Sequence, residues 1–337
     1  MYHALTKSAA ALSLTLTLAA CSSSPVSEPL SDSGEQVPTS IGPTRRDIAS
    51  EAGSGLSGDF AYHAALRDFI RHMVSTHGFS ERYLNELFSQ AQRLDFVIRL
   101  ETRPALGPVR PGGWSRYRSL FLTDKRIDDG VRFWAAHAHT VRRATETYGV
   151  DPEYIVAVIG VETFYGQYAG RTRVFDALTT LALETPRRSR FFTGELENFL
   201  LMAREQGYDP RSPVGSWAGA MGLGQFMPSS FRRLAVDFDQ DGQRDLWDTE
   251  DAIGSVANYL ARNGWQLGGV VAERAGSASG DDTVALSTYH GDEYWRTYQN
   301  FYVVKRYNPS NQYAMAVHQL AQAIKNRYLG LELAMQR

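Results

Sequence analysis

"VDPEYIVAVIGVETFYG", residues 150–166, decides the fold. Asp151 stands where a helix N-cap is preferred, and Pro152 at the first helical position, where its missing N–H costs nothing. Ile155, Val158, Ile159 and Glu162 then fall at i, i+3, i+4 and i+7, on one helix face. The stretch is apolar nearly all round, which predicts a core helix rather than a surface one. Gly166 supplies a C-terminal stop. Glu162 therefore sits near the carboxyl end of a buried helix. Desolvation and the negative end of the helix dipole both push its pKa upward. A carboxylic acid still protonated near neutral pH is what a general acid needs. A lone Glu on an apolar helix is more often a core-edge carboxylate paired with an Arg, so the surrounding residues must decide.

The chain has 337 residues, 43% of them apolar and 12% aromatic, enough for a sizeable core. Its net charge of −2 leaves no basic footprint for nucleic acid and no polybasic membrane patch. The N-terminus, "MYHALTKSAAALSLTLTLAAC", carries Lys7 and then an apolar run too short to span a bilayer comfortably. Residues 1–20 read as a secretory signal peptide. Cys21 is the only cysteine, so no intramolecular disulfide can form. "LAAC" resembles a bacterial lipobox, which implies lipidation at Cys21. Ser22 rather than Asp after it implies, by similarity to Gram-negative lipoproteins, the periplasmic face of the outer membrane. Residues 21–57 are rich in Ser, Pro, Gly and Glu and read as a flexible tether, reaching roughly 30–35 Å.

From about residue 58 to 330 the periodicity is mostly helical. "FAYHAALRDFIRHMVSTHG" stops at a glycine, Ser80 opens "SERYLNELFSQAQ" as an N-cap, and an amphipathic stretch runs from about 123 to 148. "YVVKRY" (302–307) is the best strand signal, and "AGSASGDD" within 266–292 reads as a loop. The class is mainly α with a minor β element (α+β).

"AGAMGLGQFMPSS" (218–230) is Gly-rich but lacks a phosphate-loop lysine, so it is no nucleotide cradle. Its glycines let backbone approach a ligand or pack tightly on the catalytic helix. "DFDQDGQRDLWDTED" (237–251) opens like an EF-hand, with Asp237, Asp239 and Asp241 at positions 1, 3 and 5 and Gln243 at 7. A twelve-residue loop would close at Asp248, but Asp248 also suits the N-cap of the next helix. Asp251, in that helix's first turn, is then the closing ligand of a lengthened loop, and the expected ion is a structural Ca2+. Arg187 and Arg188 in "TPRRSRFF" suit carboxylates, or else mark a solvated helix start.

"GVETFYGQYAGRTRVFDALTTLA", "GSWAGAMGLGQFMPSSF", "DLWDTEDAIGSVANYLARNGW" and "YNPSNQYAMAVHQLAQAI" together resemble the membrane-bound lytic murein transglycosylase B family. The resemblance runs from about residue 60 to 328. It implies a lysozyme-like core with an added α-domain. It also implies cleavage of peptidoglycan between N-acetylmuramic acid and N-acetylglucosamine, with 1,6-anhydro ends and no catalytic cofactor. Glu162 matches the family's single catalytic acid/base. Tyr117, Arg187, Arg188, Ser216, Met221, Gln225, Tyr259, Tyr307, Asn308 and Tyr313 match its saccharide groove. The implied partners are glycan strands, the membrane through the lipid anchor, and cell-wall synthesis or division proteins. The segment 266–292 is shorter than in well-known members, so an accessory β-rich element is expected to be missing or trimmed. A hydrolytic muramidase and a non-catalytic peptidoglycan-binding lipoprotein are the alternatives.

Overall fold

The computed structural model describes residues 55–103, 111–278 and 280–335. The expected signal peptide 1–20, Cys21 and nearly all of the expected 21–57 tether lie outside the described residues. Helices dominate what is described, and none is long and apolar enough to cross a membrane.

The central element is the Pro152–Thr163 helix, in which every residue from Glu153 to Thr163 is buried except Glu162. Helices Asp124–Ala136, Ala138–Tyr148, Thr249–Arg262 and Asn311–Met335 pack around it. Asp151 has the extended backbone of an N-cap, but its side chain does not cap. Its carboxylate instead accepts from Trp265 Nε1 (2.9 Å) and the Gly268 amide, tying the helix start to the segment after Thr249–Arg262.

The helix ends three residues before Gly166. Phe164 and Tyr165 both take left-handed backbone (φ 54° and 58°), which L-residues adopt at a cost of roughly 1–2 kcal/mol each. Arg126 holds this turn. Its guanidinium donates to the Gly160 carbonyl (3.0 Å) and lies over the Phe164 ring, while its own carbonyl accepts from Tyr165 Oη (2.9 Å). Glycine is required at 160 because a Cβ there would lie 2.6 Å from Tyr165 Oη. Glu162, one residue before the helix end, is half-buried.

Helices Val174–Glu184 and Ser189–Gln206 pack beside this core, and the N-terminal helices Ala64–His77 and Glu81–Phe88 lean on each other. Ser80 caps the second of these, accepting from the Tyr83 amide. The 123–148 stretch is two helices, broken at His137.

One expectation needs correction. "YVVKRY" is no strand: it lies in the helix Gln299–Tyr307, where Phe301, Val303 and Val304 are buried. Its β-branched residues misled because tertiary burial overrides propensity. In the 266–292 region, where an accessory β-rich element was expected to be missing or trimmed, a small one is present. Strands Ala272–Ala275, Thr283–Thr288 and Gly291–Thr297 form an antiparallel sheet with the last strand in the middle. Within "AGSASGDD", residues 276–278 and 280–282 lie between the first two strands, in keeping with the loop reading. A second, two-stranded sheet pairs Thr172–Arg173 with Val214–Gly215.

Candidate active site

Among the described residues Glu162 has one hydrogen-bond partner: Tyr313 Oη donates to its Oε1 at 2.6 Å. Tyr313 lies on Asn311–Met335 and is 2% exposed. Burial pushes the Glu162 carboxyl from 4.5 up to about 7, and the tyrosine hydrogen bond pulls the other way. The Glu162 charge and burial in turn raise the Tyr117, Tyr307 and Tyr313 hydroxyls, burial being the larger cause. Those tyrosines therefore stay protonated and neutral beside the carboxyl.

The other buried carboxylates among the described residues are each satisfied. Glu101 sits between two arginines, Asp129 holds Lys125 and Arg132, and Glu153 holds Lys325 at 2.7 Å. Asp176 holds Arg173, Glu195 accepts twice from Ser229, and Asp251 accepts from backbone amides. Glu162, with a lone hydroxyl partner, is the exception.

The glycine-rich segment folds back against the end of the Glu162 helix. Met221 and Phe226 exchange backbone hydrogen bonds (2.9 and 3.0 Å), and the Met221 strand also bridges to Gly215. Ser216 Oγ accepts from the Ala220 amide at 3.0 Å, closing the loop before it. Gly222 (φ 67°) cannot be replaced freely, since a Cβ would meet Leu246 backbone at 2.3 Å. Thr163, next to Glu162, donates its hydroxyl to the Leu223 carbonyl (2.9 Å) and accepts from the Gly166 amide (3.0 Å). That one side chain joins the helix end, the turn and the segment. Gln225 takes left-handed backbone (φ 52°), and its amide donates to Gly222 and Ala169 carbonyls.

Three aromatic rings stand together at the far side: Tyr259 and Tyr307 lie 4.5 Å apart, each edge-on to Phe226. Their hydroxyls are used inside the protein, Tyr259 on the Arg306 carbonyl (2.6 Å) and Tyr307 on the Gly224 carbonyl (2.5 Å). Asn308, buried beside them, has an Oδ1 with no donor among the described residues. Tyr117 is half-buried on helix Gly113–Phe121, stacked toward Trp114.

Arg187 and Arg188 are not free. Both reach Glu101, at 3.3 and 3.6 Å, and Arg188 also lies over the Phe191 and Phe192 rings. Two guanidiniums on one carboxylate still leave one net positive charge, and the Arg187 side chain is 76% exposed. Glu101 was not legible as their partner, because a single Glu in "IRLETR" carries no pattern that points 86 residues ahead. Arg126 and Thr163 were missed for the same reason.

In the acidic loop, carboxylate oxygens of Asp237, Asp239 and Asp251 lie within 4.8 Å of one another. Asp248 spends its side chain capping Thr249–Arg262, accepting from the Glu250 and Asp251 amides. Asp241 and Gln243 are exposed on the loop, with the Gln243 amide donating to Asp241 Oδ1. An all-oxygen set with one buried carboxylate fits a hard dication such as Ca2+.

The transglycosylase SLT domain family matches residues 61–287 and 270–322. The chain is 41% identical over 364 residues to the membrane-bound lytic murein transglycosylase B of Escherichia coli (strain K12), covering 93% of this chain and 96% of that protein. It is also similar to the Escherichia coli lytic transglycosylase SLT35 solved in complex with bulgecin A, with a TM-score of 0.78 and 44% identity over 83% of this chain and 98% of that one. The same Escherichia coli enzyme solved in complex with calcium gives 0.77 and 43%, over 83% and 98%. The helical core, the buried acid above a glycine-rich segment and this likeness along most of its length agree, and the chain belongs to the lytic transglycosylases of peptidoglycan, a family whose reaction forms 1,6-anhydro-N-acetylmuramic acid ends.

Proposed function

We propose that Glu162 is the single acid–base group of this reaction. The observation that carries the reading is a carboxyl at the end of the central helix, pushed up to about 7 by burial, with the Tyr313 hydroxyl as its one hydrogen-bond partner among the described residues. At neutral pH a large fraction is protonated. That proton passes to the departing glycosidic oxygen as its bond to carbon 1 of N-acetylmuramic acid breaks. The N-acetyl oxygen of the same sugar shares the positive charge at carbon 1. Glu162, now a carboxylate, takes the proton of the 6-hydroxyl as that oxygen bonds to carbon 1. The acid is thereby regenerated and no water is consumed. Usual glycosidases need a second carboxylate as base or nucleophile, and the pairing of every other buried carboxylate favours one.

The groove reading assigns Ser216, Met221 and Gln225 to the floor and Tyr117, Tyr259, Tyr307 and Tyr313 to the aromatic walls. Tyr259 and Tyr307, whose hydroxyls are already bonded, offer ring surface to sugar faces, while Tyr313 is buried and reaches the site through its hydroxyl on Glu162. Asn308 Oδ1, a buried acceptor without a donor, suits an N-acetyl N–H. Arg187 and Arg188, one charge in excess over Glu101, suit the carboxylates of the lactyl group or stem peptide.

A structural Ca2+ is the second part of the reading. Asp237, Asp239 and Asp251 would supply carboxylates, with Asp241 and the Gln243 carbonyl completing the set. Bound there, the ion neutralises the acidic cluster and fastens the loop to helix Thr249–Arg262. The third part concerns location. Cys21 anchors the protein by lipid to the periplasmic face of the outer membrane, and the 21–57 tether lets it reach glycan strands and cell-wall synthesis or division proteins there. The membrane-bound name of the Escherichia coli relative supports this.

Digestion of purified sacculi followed by mass spectrometry of the released muropeptides tests the chemistry. Anhydro ends are expected. Reducing ends would mean that a positioned water completes the reaction and that the protein acts as a muramidase.

A further inference from the structure

Helix Ala64–His77 carries His72 and ends in His77, and Glu197 faces both from helix Ser189–Gln206. His77 Nε2 lies 2.7 Å from Glu197 Oε1, and His72 Nε2 lies 3.4 Å from Glu197 Oε2. A ligand atom from each lies within 4.8 Å of the other two. The two imidazoles meet edge to face, 5.5 Å between centroids. The acidic loop contributes none of these residues.

We propose that His72, His77 and Glu197 form a second metal site, selective for Zn2+ or a similar borderline transition ion. Two imidazole nitrogens and one carboxylate are a donor set that zinc takes, with a water or further donor at the fourth position. Calcium takes oxygens and would leave both imidazoles unused. The tautomer is favourable. His72 Nδ1 lies 3.2 Å from Thr76 Oγ1, so the hydroxyl can accept the Nδ1 proton and leave the Nε2 lone pair for the ion. The nearby cation is held aside: Arg204 donates to the His77 carbonyl, and its guanidinium lies over the Phe79 ring. The histidine side chains are 47% and 21% exposed, so an ion can enter from solvent.

Such an ion would join two helices about 120 residues apart in the chain. Helix Ser189–Gln206 also carries Glu195, which accepts from both the amide and the hydroxyl of Ser229, directly after "GQFMP". The ion thus clips the first helix of the fold to the element that holds the end of the groove segment.

The test uses metal-stripped protein with about 1 mM calcium present to occupy the acidic loop. Zinc chloride is titrated by calorimetry and cobalt chloride by visible absorption. One equivalent of zinc, intense cobalt bands of a four- or five-coordinate ion, and a raised thermal midpoint are expected. His77→Ala, His72→Ala and Glu197→Gln should each weaken uptake at least about tenfold. All three residues are partly exposed, and circular dichroism verifies folding. The pair Asp237→Asn and Asp241→Asn should leave zinc uptake unchanged. Absence of saturable zinc binding, or unchanged affinity in His77→Ala and Glu197→Gln, overturns the proposal and leaves two histidine–glutamate contacts. These readouts are independent of glycan cleavage, so they stand or fall apart from Glu162.

Discussion

Tyr313 Oη donates to Glu162 Oε1 across 151 residues of chain, joining the last long helix to the central one at the reacting carboxyl. The bond favours the ionised form, against the burial that opposes it. In Tyr313→Phe the Glu162 pKa should therefore rise further, by roughly one unit for a hydrogen bond to a charged group. Since the first step needs the acid form, kcat/KM falls as pH rises through this pKa. The alkaline limb of the pH–rate profile should move to higher pH in the variant. A limb that stays put or moves down would mean that the tyrosine does not tune the acid.

Glu162→Gln keeps the shape and removes the proton. Turnover of sacculi should fall by about 10²–10⁴-fold, as for loss of one acid–base group, or more, since this group serves both steps. Activity within threefold of wild type would falsify the assignment.

The same substitution has a consequence for stability. The folded pKa, about 7, exceeds the ordinary 4.5. Between those values the unfolded chain releases a proton that the folded chain keeps, so stability falls as pH rises through the window. The loss is on the order of 3 kcal/mol, complete above pH 7. Glutamine has no charge to bury. Relative to wild type, Glu162→Gln should thus raise the thermal midpoint at pH 8 and have little effect at pH 4. Equal shifts at both pH values would show that the carboxyl is not strained by burial.

The sequence made the central helix legible because apolar residues on all sides, with Pro152 at its start, admit few other structures. Ser80 and the acidic loop were legible for a similar reason: their spacing is local. Glu162 itself became distinct through the long motifs around it. What escaped depends on contacts distant in sequence. Nothing in "TDKRIDD" says that Arg126 will hold the Phe164–Tyr165 turn. The helix over Gln299–Tyr307 reads as a strand until Phe301, Val303 and Val304 find a core to enter. The sheet of 272–297 was hidden because its strands alternate poorly, with exposed and half-buried residues on both faces.

Thr163→Val tests the joint beneath the acid. Valine fills the same volume but leaves the Leu223 carbonyl without its hydroxyl donor and the Gly166 amide without its acceptor. Unsatisfied buried polar groups cost roughly 1–3 kcal/mol each. A lower thermal midpoint is expected, together with reduced turnover, because the groove segment loses its tie to the Glu162 helix. Stability lost with full activity retained would separate the joint from the chemistry.

The last prediction concerns calcium. Asp237, Asp239 and Asp251 repel one another at their present spacing, and a hard dication relieves that. Binding to the folded state alone stabilises it by about 2.7 kcal/mol at a hundredfold excess over Kd. Calcium should raise the thermal midpoint and chelation lower it, with little change in turnover at room temperature, because the loop contributes no side chain to the Glu162 carboxyl. Asp237→Asn with Asp241→Asn should erase the response. Asp248 and Asp251 divide two loop lengths. Asp248 caps the following helix, whereas the Asp251 carboxylate turns back into the loop, accepting from the Asp239 and Asp245 amides. Asp251→Asn should therefore weaken calcium binding far more than Asp248→Asn, which should cost about 1 kcal/mol of cap instead. If a calcium titration shows Asp248 to be the costlier loss, the loop closes after twelve residues and Asp251 is only its backbone anchor.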